Sequence, residues 1–206
     1  MGSRALNATE SGLLLKLARA SAQQILSNQH AANPYLQHPP TGISSDSPLL
    51  GLGRCFVTFK KKLPQGAPGE GLRGCLGTLE AREPLWKSVA RLSADTVTSD
   101  PRFLDDPITL AELPELSIHI SVLYPNRTLK NPLDFELGVD GIVVQGIGMY
   151  QGQRGVFLPQ VATEFGWSKE EFLASCCSHK AHLPEDAWKN SNTCRVEAFK
   201  TQSLSD

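Results

Sequence analysis

The sequence lacks the features of a membrane-spanning or secreted protein. It contains no run of about 18 consecutive apolar residues, so no segment is predicted to span a membrane. Its N-terminus has no basic segment followed by an apolar one, and we therefore expect no signal peptide. The five cysteines do not have the spacing of a disulfide framework: Cys55, Cys75, Cys176, Cys177 and Cys194. These absences predict a soluble cytoplasmic protein with reduced thiols.

Strong net charge and cofactor motifs are missing as well. The 20 basic and 21 acidic residues leave a net charge of −1, which argues against general nucleic-acid binding. The glycines at 146, 148 and 152 have GxGxxxG spacing, but a turn is predicted after them where a dinucleotide loop needs a helix. A GxSxG nucleophile motif does not occur. The sequence therefore predicts no cofactor.

What is present indicates a globular α+β protein. The 206 residues, 40% of them hydrophobic, can form one large domain or two packed halves. Apolar spacing and two capping boxes predict three helices. The first covers residues 8–28, the second begins at Pro84, and the third runs from residue 169 to about residue 179. Alternating patterns predict strands at 53–60, 72–78, 115–124, 138–150, 155–158 and 193–199, with 61–71 as the first hairpin loop. We expect a largely antiparallel sheet with flanking helices, in one domain over residues 1–206 made of two intimately packed subdomains.

The segment LRGCLG at residues 72–77 is the strongest candidate for a functional site. In a strand, Arg73 and Cys75 lie on one face with their Cα atoms about 6.5–7 Å apart. A fixed cation near a thiol favours the thiolate, the form that reacts. Cys75 is therefore a candidate nucleophile and Arg73 a candidate ligand-binding residue, in a cleft around this segment. The alternative is a purely structural Cys75, because unpaired cysteines are commonly buried in cores.

The opposite face of this strand and its two glycines lead to further expectations. Alternation predicts that Leu72, Leu76 and Thr78 are buried. The absent side chains of Gly74 and Gly77 leave the backbone open to a ligand or to another segment of the chain. We assign both glycines to the candidate ligand-binding site.

The charges around this segment are unevenly distributed. Residues 54–91 hold eight basic and three acidic residues, whereas residues 92–141 hold nine acidic and three basic ones. The positive surplus suits an anionic ligand or an acidic partner surface. A solvated charged face explains the same pattern without any function.

His119 is a weaker candidate for catalysis. It lies in the strand predicted at 115–124 and could act as a general base for Cys75 if the two strands pair. A half-buried histidine without a catalytic role is the alternative.

A cluster of potential metal ligands occurs near the end of the third predicted helix. Cys176 and His179 share a helix face, and Cys177 and His182 lie close by in sequence. Adjacent cysteines diverge by about 100° on a helix, and no further ligand completes the spacing of a zinc site. The sequence therefore predicts packed thiols here and no metal site.

With these motifs in view, the chain resembles the AMMECR family, whose prokaryotic members are called AmmeMemoRadiSam system protein A. The family's hallmark, LRGCxG, matches Leu72, Arg73, Gly74, Cys75 and Gly77. The other matching segments extend over nearly the whole chain: 100–103, 121–123, 157–161 with Trp167, and 180–184 with Trp188. His182 departs from the family, where a glycine is usual, and histidine tolerates a positive φ less well than glycine does.

The resemblance implies a two-part α+β fold and a soluble intracellular protein. It further implies a link to a Memo-like protein and to a radical S-adenosylmethionine protein as partners. It implies no established reaction. Two hypotheses follow: an enzyme or enzyme subunit acting through Cys75, or a non-catalytic adaptor that docks on a protein partner.

Overall fold

The structure, a computed structural model, describes residues 4–28, 31–61 and 71–206. The chain divides into two compact units: unit 1 within Met1–Val122 together with Gln202–Asp206, and unit 2, Leu123–Thr201. Both contain helices and antiparallel strands, which confirms the predicted α+β class. The single domain predicted over residues 1–206 stays a prediction. None of the described helices has the length and apolar composition needed to cross a bilayer.

Unit 1 combines two helices with a sheet. The helices are α1 (Ala8–Ser27) and α2 (Leu85–Ser99), and the strands are β1 (Arg54–Lys61), β2 (Leu72–Gly77) and β3 (Leu116–Leu123). The strand order is β2-β1-β3, followed by the end of the last strand of the chain, β7 (Cys194–Ser205). The core includes the fully buried side chains of Leu14, Phe59, Val89, Ile118 and Ile120. Most of the predicted loop at 61–71 lies outside the described residues.

Local hydrogen bonds explain why α1 begins where the sequence predicts. The Asn7 side chain accepts a hydrogen bond of 2.9 Å from the backbone N–H of Glu10. In return the Glu10 carboxylate accepts one of 3.0 Å from the backbone N–H of Asn7, which completes the predicted capping box. In unit 2, Ser168 and Glu171 form the second predicted capping box in the same way.

Unit 2 is built around an antiparallel hairpin. Its elements are β4 (Arg127–Thr128), β5 (Asp140–Gly146), β6 (Arg154–Phe157), α3 (Pro159–Phe165), α4 (Lys169–Ser175) and the first part of β7. The predicted hairpin is β5-β6, which pairs Val144 with Gly155, while β7 pairs with β5 on one side and β4 on the other. Phe172, Leu173, Ile142 and Cys176 lie in its core, each fully buried.

Three of the elements that differ from the prediction are α3, the helix that begins at Lys169, and β7. The helix α3 was not predicted, although Pro159 at its first turn and Gly166 at its C-cap are typical helix boundaries. The helix predicted from residue 169 to about His179 is α-helical only as far as Ser175, and one π-helical turn, Cys176–Lys180, follows it. The N–H of Ala181 donates a hydrogen bond to the carbonyl of Cys176 at this turn. Strand β7 extends to Ser205, six residues past the predicted end, because its last part pairs within unit 1.

Candidate functional site

Strand β2 has the predicted alternation, but its burial differs from the prediction. Leu72, Leu76 and Thr78 are only half-buried, so the expectation that they are buried is wrong. The buried residue of β2 is Gly74. The reason lies in the order of the strands: β2 is the first strand of the sheet in unit 1 and pairs with β1 alone among the described strands.

Both glycines of β2 lie against other segments of unit 1. A Cβ atom at Gly74 would lie 2.8 Å from Cγ2 of Thr96 and 3.0 Å from its carbonyl oxygen, so α2 packs directly on the strand backbone. A Cβ atom at Gly77 would overlap the ring of Phe56 on β1. The sequence predicted that either a ligand or another segment of the chain would lie against these two glycines, and the structure shows another segment at each of them. The ligand-binding role of Gly74 and Gly77 stays a prediction.

Cys75 is half-buried and lies opposite Thr58 in the β1-β2 ladder. The Thr58 hydroxyl donates a hydrogen bond of 3.1 Å to the Cys75 sulfur. Directly opposite residues of an antiparallel pair project from the same face of the sheet, which explains the contact. A hydroxyl that donates to sulfur stabilises negative charge on it.

Asp100, directly after α2, holds the backbone of Cys75. Its side chain is only 1% exposed, and Oδ2 accepts a hydrogen bond of 2.8 Å from the Cys75 N–H. Its two oxygens also accept hydrogen bonds from the Arg102 guanidinium, 3.0 Å from Nε and 2.7 Å from Nη2. Burial by itself raises the pKa of Asp100, but the hydrogen bonds from Arg102 and Cys75 outweigh it and lower the pKa below its usual value.

Arg102 is the cation that the structure places beside Cys75. Its Nη2 donates a hydrogen bond of 2.9 Å to the Cys75 carbonyl, and its side chain is 52% exposed. Its hydrogen bond to Asp100 raises its pKa, and its interaction with the Cys75 side chain adds to this shift. The Arg102 guanidinium also lies 5.6 Å from the centroid of the Phe103 ring. Arg102 is thus held through Nε and Nη2, whereas its Nη1 forms no hydrogen bond within the described residues.

Arg73 is paired with carboxylates. Its Nε and Nη2 donate to both carboxylate oxygens of Glu112, at 2.7 and 3.0 Å, and its Nη1 donates to Asp106 at 2.7 Å. Its side chain is 14% exposed, and the hydrogen bonds to Glu112 and Asp106 raise its pKa despite burial. An anionic ligand at Arg73 would compete with these two carboxylates. The ligand-binding role of Arg73 stays a prediction.

Sequence reasoning missed the role of Arg102 because the residue is 27 positions from Cys75. The segment Asp100–Phe103 was recognised as a turn after α2 and as part of the family resemblance. Its position next to β2 depends on the packing of α2 on Gly74, which no local pattern encodes. The family resemblance was the one indication from the sequence that this turn has a role besides ending α2.

His119 does not meet the condition for its predicted role. Strand β1 lies between β2 and β3, so the strands that carry Cys75 and His119 do not pair, and the condition for this role is not met. Each step across a sheet adds about 4.8 Å, which separates the two backbones by about 10 Å. Nε2 of His119 lies within hydrogen-bonding distance, 3.2 Å, of the Ser117 hydroxyl.

The predicted cluster of cysteines and histidines in unit 2 is divided between core and surface. Cys176 and Cys177 are fully buried, whereas His179 and His182 are exposed. Burial raises the pKa of Cys176 to about 12. Among the residues that the structure describes, no group of three or more histidine, cysteine or acidic side chains could hold a metal ion.

These features define an α+β protein whose candidate site combines a half-buried thiol with an anchored arginine. The AMMECR1 family model matches residues 15–204, and the chain belongs to this family. A protein of Thermofilum pendens is 34% identical over 96% of this chain and 90% of its own length. A protein of Methanothermobacter thermautotrophicus is 39% identical over 71% of this chain and 72% of its own length. The crystal structure of the uncharacterised protein PH0010 from Pyrococcus horikoshii has a similar fold, with a TM-score of 0.76 and 30% sequence identity. The match covers 96% of this chain and 92% of the PH0010 chain.

Proposed function

We propose that this protein is an enzyme, or the substrate-handling subunit of one, with Cys75 as nucleophile in a cleft around the LRGCLG segment. In this proposal Arg102 replaces Arg73 as the residue that binds the anionic group of the substrate. The observation that carries the proposal is the position of the Arg102 guanidinium, which buried Asp100 anchors beside Cys75 while about half of its side chain stays exposed.

Each neighbour of Cys75 supports a thiol-dependent reaction. The Arg102 guanidinium lies beside Cys75, where it can hold an anionic group, and the Thr58 hydroxyl donates a hydrogen bond of 3.1 Å to the sulfur. Asp100 does not touch the sulfur in this scheme; it orients Arg102 and the backbone of β2. An anionic substrate group at Arg102 would place a nearby electrophilic atom within reach of the sulfur.

Alkylation with iodoacetamide at pH 7, resolved by peptide mass spectrometry, tests the proposal. We expect Cys75 to react faster than free glutathione, and Arg102→Gln to slow this reaction at least about fivefold by removing the adjacent cation. Arg73→Gln is the matched control, and we expect a change below about twofold because two carboxylates, Glu112 and Asp106, offset the charge of Arg73, whereas one, Asp100, is paired with Arg102.

The other thiols monitor folding in the same experiment. Burial raises the pKa of Cys55 to about 12, as it does that of Cys176, so both should stay unlabelled until the chain unfolds. Labelling of Cys75 no faster than glutathione would contradict the nucleophilic role. A larger effect of Arg73→Gln than of Arg102→Gln would contradict the role given to Arg102.

The second candidate function is that of an adaptor that docks on a protein partner. It is favoured by the chemistry around the Cys75 thiol, because neither Thr58 nor Arg102 can take its proton as a histidine base would. In the AmmeMemoRadiSam system that the resemblance implies, the partner would be a Memo-like or a radical S-adenosylmethionine protein. Pull-down with purified candidates separates the two functions. Binding that Arg102→Gln abolishes and Cys75→Ser preserves indicates docking, whereas loss of turnover with Cys75→Ser indicates catalysis.

We place the protein in the cytoplasm under either function. All five cysteines are unpaired thiols, as expected in a reducing compartment. Fractionation of cells that express the full chain, with reductive and non-reductive alkylation of the thiols, tests this placement. Recovery of the protein with the membranes or with oxidised cysteines would contradict it.

A further inference from the structure

A pocket in unit 2, separate from the Cys75 site, is lined by basic side chains and no acidic ones. It has a volume of about 420 Å³, within the range of small-molecule sites. Its basic residues are Lys130, Lys189 and Arg195. Its apolar lining includes Leu129, Ile147, Trp188 and Val196. Such a pocket suits a ligand that combines an apolar or aromatic body with several negative charges.

The three cations of this basic pocket form no ion pair in the described part of the chain, although Lys189 also lines a cleft that contains Glu170, Glu171, Glu185 and Asp186. Lys130 and Arg195 form no ion pair there, and Lys189 interacts with the ring of Trp188, with Nζ at 5.3 Å from the ring centroid. By contrast Arg127, three residues before Lys130, is paired with Asp140 at 2.9 Å. The absence of an ion pair therefore distinguishes these three cations from Arg127.

Two of these cations lie next to the β4-β7 ladder. Thr128 lies opposite Glu197 in the β4-β7 ladder, and the Leu129 N–H continues this ladder with a hydrogen bond of 3.0 Å to the Val196 carbonyl. Lys130 follows in a bend just after this ladder, and it lines the same pocket as Arg195. Like charges that share a pocket repel each other, so this arrangement favours an anionic ligand.

The neighbouring side chains form no ion pair with Lys130 or Arg195 within the described residues. On the other side of Arg195, strand β5 presents the neutral Gln145. The acidic residue two positions along β7, Glu197, accepts a hydrogen bond of 2.6 Å from the Asn126 side chain. Glu197 keeps its negative charge in this hydrogen bond but forms no ion pair with Lys130 or Arg195 within the described residues, so an anionic ligand would still meet both cations unpaired.

We propose that this basic pocket binds a phosphorylated small molecule. Lys130, Lys189 and Arg195 would hold the phosphate oxygens, because arginine and lysine are the residues that bind phosphate in proteins. The ring or apolar body of the ligand would lie on the buried side chains of Trp188 and Leu129. The proposal does not depend on the chemistry of Cys75, since all residues that line the pocket belong to unit 2.

Isothermal titration calorimetry with the full chain tests the proposal, with AMP, pyrophosphate and adenosine as probes. We expect AMP and pyrophosphate to bind with Kd values below about 1 mM and adenosine, which lacks phosphate, to bind at least about tenfold more weakly. The double variant Lys130→Gln/Arg195→Gln should weaken binding of both phosphates at least about tenfold. Trp188→Phe should weaken binding of AMP more than that of pyrophosphate.

A control with the same change in net charge makes the test specific. Arg82→Gln/Lys87→Gln removes two basic residues of unit 1 that do not line the pocket and should leave each Kd within about twofold. Thermal melting of every variant checks that it is folded. The proposal is overturned if neither phosphate binds the folded wild-type chain, if the pocket variant binds as the wild type does, or if the control loses as much affinity as the pocket variant.

Discussion

The backbone N–H of Cys75 donates a 2.8 Å hydrogen bond to Oδ2 of Asp100, a buried carboxylate that also binds Arg102. The first prediction is that Asp100→Asn lowers the free energy of unfolding by about 2–4 kcal/mol, because charged hydrogen bonds are lost within a buried network. Urea denaturation measures this change. The exposed Asp105 is the control, and Asp105→Asn should change stability by less than about 0.5 kcal/mol. Equal effects of the two variants would show that the carboxylate of Asp100 contributes little.

The second prediction concerns the close packing of α2 on β2. Gly74→Ala should destabilise the protein by about 1–3 kcal/mol, because the added methyl group would lie 2.8 Å from the Thr96 side chain. Gly12, within α1, has no atom within 4 Å of an added Cβ, and Gly12→Ala should stabilise the protein by about 0.5–1 kcal/mol through helix propensity. Chemical denaturation of both variants checks the opposite signs. A neutral Gly74→Ala would mean that Thr96 and the helix shift without cost.

The third prediction concerns stability in acid. The hydrogen bond from Arg4 lowers the pKa of Glu10 to about 2 against the opposing effect of burial, with further help from Ser47 and the Asn7 backbone. Because the pKa is lower in the folded state than its usual value of about 4.3, the stabilisation is complete above that pH and is lost as the pH falls toward 2. Its upper limit is about 3 kcal/mol.

Urea denaturation between pH 2 and pH 7 measures this contribution. Glu10→Gln should be less stable than wild type at neutral pH, and the difference should shrink as the pH falls below about 4. Glu170, an exposed residue of α4, provides the control variant Glu170→Gln, whose pH profile should follow that of the wild type. A constant difference between Glu10→Gln and wild type at all pH values would refute the linkage to this carboxyl group.

The fourth prediction concerns His182, the position where the family usually has glycine. His182 has a φ of 55°, the one positive φ among the described residues other than glycine. His182→Gly should therefore stabilise the protein by about 0.5–1 kcal/mol, since the left-handed conformation costs other residues about 1–2 kcal/mol and glycine loses part of this gain through chain entropy. Thermal and urea denaturation give the value. His182→Ala should bring no gain, and an equal gain from both variants would show that the side chain, not the backbone, causes the strain.

Local patterns in the sequence determined many of the secondary-structure elements. The capping boxes at Asn7 and Ser168 depend on hydrogen bonds between residues three positions apart, so they are visible without any tertiary structure. Alternation located β1, β3 and the β5-β6 hairpin, since side chains of a strand point to opposite faces in turn. The resemblance to the family, carried by residues 72–77 and segments along the chain, also followed from the sequence and was confirmed.

The tertiary structure decided which residues surround Cys75 and which side of its strand is buried. The sequence offered Arg73 and His119 as neighbours of the thiol, and only the strand order and the packing of α2 on Gly74 brought Arg102 to it. Likewise, Lys130 and Arg195, 65 positions apart, line one pocket of unit 2. Contacts of this kind depend on how distant segments pack and on strand register, and a shift of one residue in register would turn the same side chains to the opposite face.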